Sequence, residues 1–194
     1  MSETDFEPRR VTISDPQIMR ALAHPARLAI MDHLTSTGAS VTATEAAEVT
    51  GLSPSAMSYH LRELAKAGLI REAPGQGDAR ERRWQGTFQG WSVEAGQDAD
   101  EDARAAETAL IEAYLARDVE RVRGWARRAP DEPKQWYDAT SISESTLLVT
   151  AEELAELNAA VLALFEPYQR RNRIADPPEG SRTVVVQYRG IPVG

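Results

Sequence analysis

The chain has 194 residues, enough for one large or two small domains, and its 42% hydrophobic and 27% charged residues exclude wholesale disorder and fibrous repeats. Cysteine is absent, which removes disulfide frameworks, thiolate zinc sites, iron–sulfur clusters and cysteine nucleophiles. The net charge of −8 conceals a split: residues 1–92 hold 11 acidic and 10 basic side chains, residues 93–194 hold 19 and 12, and residues 53–92 are locally basic with 6 against 4. Met1–Arg10 is polar, with no apolar stretch of the signal-peptide kind, and no run approaches the length of a membrane span, so a cytoplasmic protein is expected.

After an arm with Val11 and Ile13 as a brief strand, Ser14-Asp15-Pro16 offers a cap and an N1 proline. A short helix then places Ile18, Met19, Ala21 and Leu22 on one face. It is interrupted at His24-Pro25, because the residue before proline is pushed out of the helical region. A second helix with Leu28, Ile30, Met31 and Leu34 ends near Gly38. Val41 suits a short strand, Thr42 or Thr44 caps a third helix over 45–50, and Gly51 stops it. Ser53 and Pro54 open a fourth helix to about Ala67 with Met57, Leu61 and Leu64 at helical spacing, and Gly68 closes it. Leu69–Ala73 and Arg82–Gln85 read as strands around the turn-rich Pro74–Asp78. Helix, helix, strand, helix, helix, hairpin is the order of a winged helix-turn-helix.

The second half begins with the acidic connector 96–102. From Asp102 to Arg128, Ala106, Leu110, Ile111, Leu115, Val119, Val122 and Ala126 recur at steps of three or four, an amphipathic helix of about seven turns. Pro130–Pro133 breaks it. Ser143–Val149 has strand character. Thr150 with Glu153 is a capping box, opening a helix whose Leu154, Leu157, Val161, Leu164 and Tyr168 follow heptad-like spacing and which Arg170, Arg171 and Arg173 close. Thr183–Tyr188 is a second β-rich run. The expected fold is mainly α with a small β wing: a winged helix-turn-helix domain at 11–92 and a C-terminal helical dimerisation or sensing region with a short β-pair at 97–194.

The strongest constellation is Val41–Leu69. A helix-turn-helix needs a positioning helix, a glycine turn and a second helix able to enter the major groove. Met57, Leu61 and Leu64 bury one side of that second helix, leaving Ser55, Ser58, Tyr59 and Arg62 on the other. Short hydroxyls permit close backbone approach to bases or phosphates, and Arg62 lies one turn from Ser58. An ordinary helical hairpin with a wet polar face would look similar, but the wing that follows favours DNA. Arg80, Arg82 and Arg83 on that wing are then the expected phosphate or minor-groove contacts.

The run Ile18–Met31, containing Leu22-Ala23-His24-Pro25-Ala26-Arg27-Leu28, together with Gly51-Leu52-Ser53-Pro54-Ser55-Ala56-Met57-Ser58-Tyr59-His60-Leu61-Arg62-Glu63-Leu64 and Ala67-Gly68-Leu69-Ile70, resembles the ArsR-type (arsenic-repressor-like) transcriptional regulators. The similarity spans about Asp15–Gln85. It implies a homodimeric winged-helix regulator, a repressor, on an inverted-repeat operator, with Ser53, Ser55, Ser58, Tyr59 and Arg62 toward double-stranded DNA. His60, at the family's usual histidine, is counted among the DNA-binding residues too, touching backbone or packing rather than reading bases. The metal-sensing members carry a cysteine pair in the helix before the recognition helix, or His and Asp pairs in the last helix. This chain has neither, and His24, His33 and His60 all lie in the N-terminal module. No metal or cofactor is expected.

Catalysis finds no support: there is no phosphate-cradling Gly-x-x-x-x-Gly-Lys loop, no Gly-x-Ser-x-Gly elbow and no His-Glu-x-x-His. Trp125, Trp136, Tyr137, Phe165 and Tyr168 read first as core or dimer interface. Trp125, Trp136 and Phe165 are also the candidate walls of a cavity for a small apolar ligand. Trp84 and Trp91 are expected to cover the junction of wing and second half. The alternative to an operator-binding regulator is a winged-helix protein-interaction module that binds no DNA.

Overall fold

The computed structural model describes residues 10–74 and 82–193. It divides into two compact units, Met1–Arg127 and Arg128–Gly194.

In the first unit, β1 (Arg10–Ile13) precedes α1 (Pro16–Leu22), α2 (Pro25–Thr37), α3 (Ala43–Thr50) and α4 (Pro54–Lys66). Then come β2 (Ile70–Glu72), β3 (Trp84–Gly86), β4 (Gly90–Val93) and α5 (Glu101–Arg128). Each helix start is capped as its local sequence dictates. The Asp15 side chain accepts from Gln17 N–H, His24 Nδ1 from Ala26 N–H and Ser53 Oγ from Ala56 N–H, each just ahead of an N1 proline. Of the two threonines considered for α3, Thr42 is the cap. Its hydroxyl accepts from Glu45 N–H while the Glu45 carboxylate accepts from Thr42 N–H. Gly38 and Gly51 end α2 and α3 at φ of 69° and 70°, the left-handed region where a side chain would strain the backbone.

The faces so formed close on one core. Met19, Leu22, Leu28, Ile30, Met31, Leu34, Met57, Leu61 and Leu64 are buried there together with Val41, Leu69, Ile70 and Trp84. Antiparallel β2 and β3 pair Ile70 with Gly86 and Glu72 with Trp84, and Trp84 bridges back to Val41. β1 and β4 form a parallel pair, Arg10 opposite Gly90 through Ile13 opposite Val93. A Cβ at Gly90 would stand 3.2 Å from Arg10 Cγ, a tight contact with a side chain rather than with the paired backbone. The strand at Val11 and Ile13 forms as expected. Its partner β4 was not legible, because a four-residue run opening on glycine gains strand character only from a neighbour about eighty residues away.

The long helix α5 carries two apolar faces rather than the single one its spacing suggests. Ala103, Ala106 and Leu110 are buried, and Tyr114 packs its ring 5.1 Å from that of Trp91. Next along this face, Arg117 Nη1 and Arg121 Nη2 both donate to Asp32 Oδ2 of α2, at 2.6 and 2.9 Å. Burial, then the adjacent Asp32 carboxylate, pushes the Tyr114 phenol well above its ordinary range. Ile111, Leu115, Val119 and Val122 lie roughly 100–180° around the helix from Leu110, at about 100° per residue, and all are 43–46% exposed.

In the second unit, a 3₁₀ turn at Ala129–Asp131 is followed by α6 (Lys134–Ala139), α7 (Ala151–Phe165), a 3₁₀ turn at Glu166–Tyr168 and α8 (Arg170–Arg173). Thr150 and Glu153 form the expected capping box. The expected C-terminal β-pair does not form. Residues 143–149 and 183–188 form no strand, because β-branched composition makes one only where a second backbone supplies the ladder. The helix read through Arg171 ends at Phe165, since Pro167 cannot continue it, so Arg170, Arg171 and Arg173 belong to the separate α8. α6 was not foreseen: the proline-rich break conceals a new start, with Pro133 at its N-cap. No helix among the described residues is long and apolar enough to cross a membrane.

Candidate nucleic-acid interface

The helix-turn-helix is α3, the Gly51 turn and α4. On α4, Met57, Leu61 and Leu64 are buried, so the opposite face must point outward. Ser55, Tyr59 and Arg62 form that outer stripe at steps of four and three, all exposed, with Tyr59 at 51%. Lys66 continues the stripe by another four residues and was missed as a candidate; the same spacing counted forward from Ser55 finds it. Its Nζ lies 2.7 Å from Glu63 Oε1.

The other expected contacts are placed less uniformly. Ser53 is exposed at the helix start, its Oγ occupied by the cap bond. The Ser58 hydroxyl donates to Pro54 O at 2.9 Å, so it sits at the edge of the stripe with its proton engaged in the helix. His60 is only 8% exposed and turns inward, its ring 4.5 Å from that of His24. Its ring therefore packs between α2 and α4 rather than standing on the outer stripe.

At the wing, Arg82 is exposed beside β3, its Nε 2.9 Å from Glu72 Oε1 and its guanidinium 5.7 Å from the Trp84 ring. Arg83 is differently employed. Its Nη2 donates to Ser40 O at 2.7 Å and to Glu45 Oε2 at 2.9 Å, and its Nε to Ser40 Oγ at 3.1 Å. These bonds fasten the hairpin base to the start of α3. The backbone bond from Thr42, then Arg83, holds the Glu45 carboxyl below its ordinary range. Arg80 and the tip from Gly75 onward lie outside the described residues.

Trp125 lies on α5 of the first unit, whereas Trp136 and Phe165 belong to the second. Arg182 stacks 4.9 Å from the Trp136 ring and also meets Glu132 Oε2 at 2.8 Å. Among the described residues, no three His, Asp or Glu side chains converge as a metal ion would require.

Comparison with known proteins reaches only part of the chain. Residues 22–73 match the family model described as a helix-turn-helix domain. None of the curated proteins matches the chain. Among solved structures, a possible transcriptional regulator for arsenical resistance is 24% identical, with 56% of this chain and 94% of that one covered and a TM-score of 0.32. The homodimeric winged helix-turn-helix DNA-binding domain of Mb0332 from Mycobacterium bovis, a possible ArsR-family regulator, is 23% identical over 54% of this chain and 81% of that one, also at 0.32. YusO from Bacillus subtilis is 15% identical over 78% and 83%, again at 0.32. The fold itself rests on this chain's own order of elements and on the hairpin pinned to Val41. Residues 22–73 carry the helix-turn-helix domain that the sequence resemblance implied, and the chain departs from the metal-sensing pattern in having no cysteine.

Proposed function

We propose that the chain is a sequence-specific DNA-binding transcriptional regulator, a repressor that occupies an inverted-repeat operator as a homodimer. The observation that carries this reading is the two-sidedness of α4: Met57, Leu61 and Leu64 are fully buried while Ser55, Tyr59, Arg62 and Lys66 form one outward stripe. A tyrosine and an arginine one turn apart reach base edges at major-groove depth, and flanking cations meet phosphates. The local excess of basic residues over 53–92 lets this occur on an acidic chain.

The homodimer draws its support from the outer face of α5. Ile111, Leu115, Val119 and Val122 make a continuous apolar stripe of a kind that monomers seldom leave in water. A two-fold pairing there would set two α4 helices to half-sites about 34–36 Å apart.

Fluorescence anisotropy on a duplex from the DNA upstream of its own gene, with random-sequence competitor, tests the assignment of roles. Tyr59→Ala is expected to relax the preference among operator variants by about 1–3 kcal/mol at the contacted base pair. Arg82→Ala is expected to weaken all sequences alike and to lower the salt slope by about one. Equal loss of specificity in both variants would reject the division of labour, and absence of duplex binding at low salt would favour the protein-interaction module.

A further inference from the structure

His24 and His60 have no part in contacting DNA in the function proposed above, yet they occupy the joint between the start of α2 and the inner side of α4. His24 Nδ1 accepts from Ala26 N–H at 3.2 Å as the N-cap of α2, which places the neutral ring's proton on Nε2. The His60 ring lies 4.5 Å away at 38°, and its Nδ1 is buried without a hydrogen-bond partner. Tyr59 meets His60 edge-on at 5.4 Å, so the buried ring adjoins the outer stripe directly.

The charges that act on the two rings are positive. Arg27 of α2 acts on both rings, and its Nη1 donates to Ala21 O at 2.6 Å while its Nε is buried and unpartnered. The nearest carboxylate on α4, Glu63, is held by Lys66. On the elements packed against α4, Arg20 of α1 meets Asp102, Asp32 of α2 holds Arg117 and Arg121, and Glu45 of α3 holds Arg83. Glu48 of α3 is exposed, Glu72 of β2 meets Arg82, and Arg71 of β2 faces the Gln85 amide. A proton added at buried His60 or half-buried His24 would therefore place a second cation beside Arg27, with Glu63, already shared by Lys66 and Arg27, as the one carboxylate of α4.

We propose that the His24–His60 pair is an acid-sensitive joint. Neutral, it caps α2 and supports the underside of α4; protonated, it forfeits the cap bond, repels Arg27 and loosens the helix that carries Tyr59 and Arg62. Burial, ahead of the neighbouring cations, lowers both imidazoles below their ordinary 6.5. The sign follows by linkage. Stability from the pair is fully present above the unfolded value near 6.5, and it is lost as pH falls from there through the lower folded values. Only the consequence for operator recognition rests on the function proposed above.

The test uses the full chain. Proton NMR titration of the imidazole Cε1–H resonances is expected to show His24 and His60 titrating below about 6.5. Thermal melting between pH 7.5 and 5.5 is expected to fall by at least about 4 °C more in the wild type than in His24→Asn, since asparagine keeps a neutral N-cap acceptor and does not titrate. Titration of both rings at or above 6.5, or equal pH dependence in wild type and variant, would overturn the joint. If His24→Asn does not fold, the NMR titration alone decides. Anisotropy on the upstream and random-sequence duplexes at the same two pH values is expected to show specificity falling on acidification in the wild type. A chain that binds neither duplex at either pH rejects the DNA reading, while titration and melting still decide whether the joint is acid-sensitive.

Discussion

The two units use the same local devices to different ends. Thr42 with Glu45 and Thr150 with Glu153 are capping boxes of one design, and each starts a well-formed helix. In the winged unit the capped helix then meets a core in which Leu28, Ile30, Met31, Met57, Leu61 and Leu64 are wholly hidden. In the second unit none of α6, α7 or α8 contains a buried residue, and Leu148, Leu164, Tyr168, Val184, Val185 and Val186 stand largely in solvent. The comparison separates two properties that usually travel together. Local signals start and stop a helix, but packing of its apolar side supplies most of its stability.

The sharpest way to break this contrast is at matched leucines. Leu61→Ala removes a fully buried side chain and is expected to cost about 2–5 kcal/mol in urea unfolding followed by circular dichroism. Leu148→Ala, at a position with no cover, is expected to stay within about 0.5 kcal/mol. A comparable loss at both positions would mean that the second unit is packed after all, under a surface supplied by another molecule.

A smaller effect is expected on the outer face of α5. Leu115→Glu exchanges an apolar contact for a charge in the proposed dimer seam and is expected to raise the dimer dissociation constant by about 10–100-fold, equivalent to about 1.4–2.8 kcal/mol. The core-facing Leu110 is untouched, so the winged unit should remain folded. Sedimentation velocity at micromolar protein reads the change. An unaltered sedimentation coefficient would move the interface elsewhere.

The smallest and most direct comparison is between the capping boxes themselves. Thr42→Ala is expected to cost about 1 kcal/mol of cooperative unfolding, because α3 is tied through Glu45 and Arg83 to the wing. Thr150→Ala deletes the same bond in α7, yet it is expected to leave the main transition in place and to lower helicity only locally. Identical shifts of the main melting transition would show the two units to be one cooperative body.

Much of the winged unit was legible in the sequence. Asp15, Ser53 and the prolines at 16, 25 and 54 mark helix starts by chemistry that acts within three or four residues, and Gly38 and Gly51 mark ends in the same way. The α4 pattern of Met57, Leu61 and Leu64 likewise fixed which face is buried, and hence that Ser55, Tyr59 and Arg62 point outward. Only the tertiary structure decided what depended on distant neighbours. It paired β1 with β4, turned Arg83 from the solvent to Ser40 and Glu45, and split α5 into an inner face at Ala106 and Leu110 and an outer one at Leu115 and Val122. It also left Leu147-Leu148-Val149 and Val184-Val185-Val186 without a ladder. Caps and periodicity are short-range and so are written in the chain, whereas a strand, an ion pair or a second helix face exists only where another segment arrives to complete it.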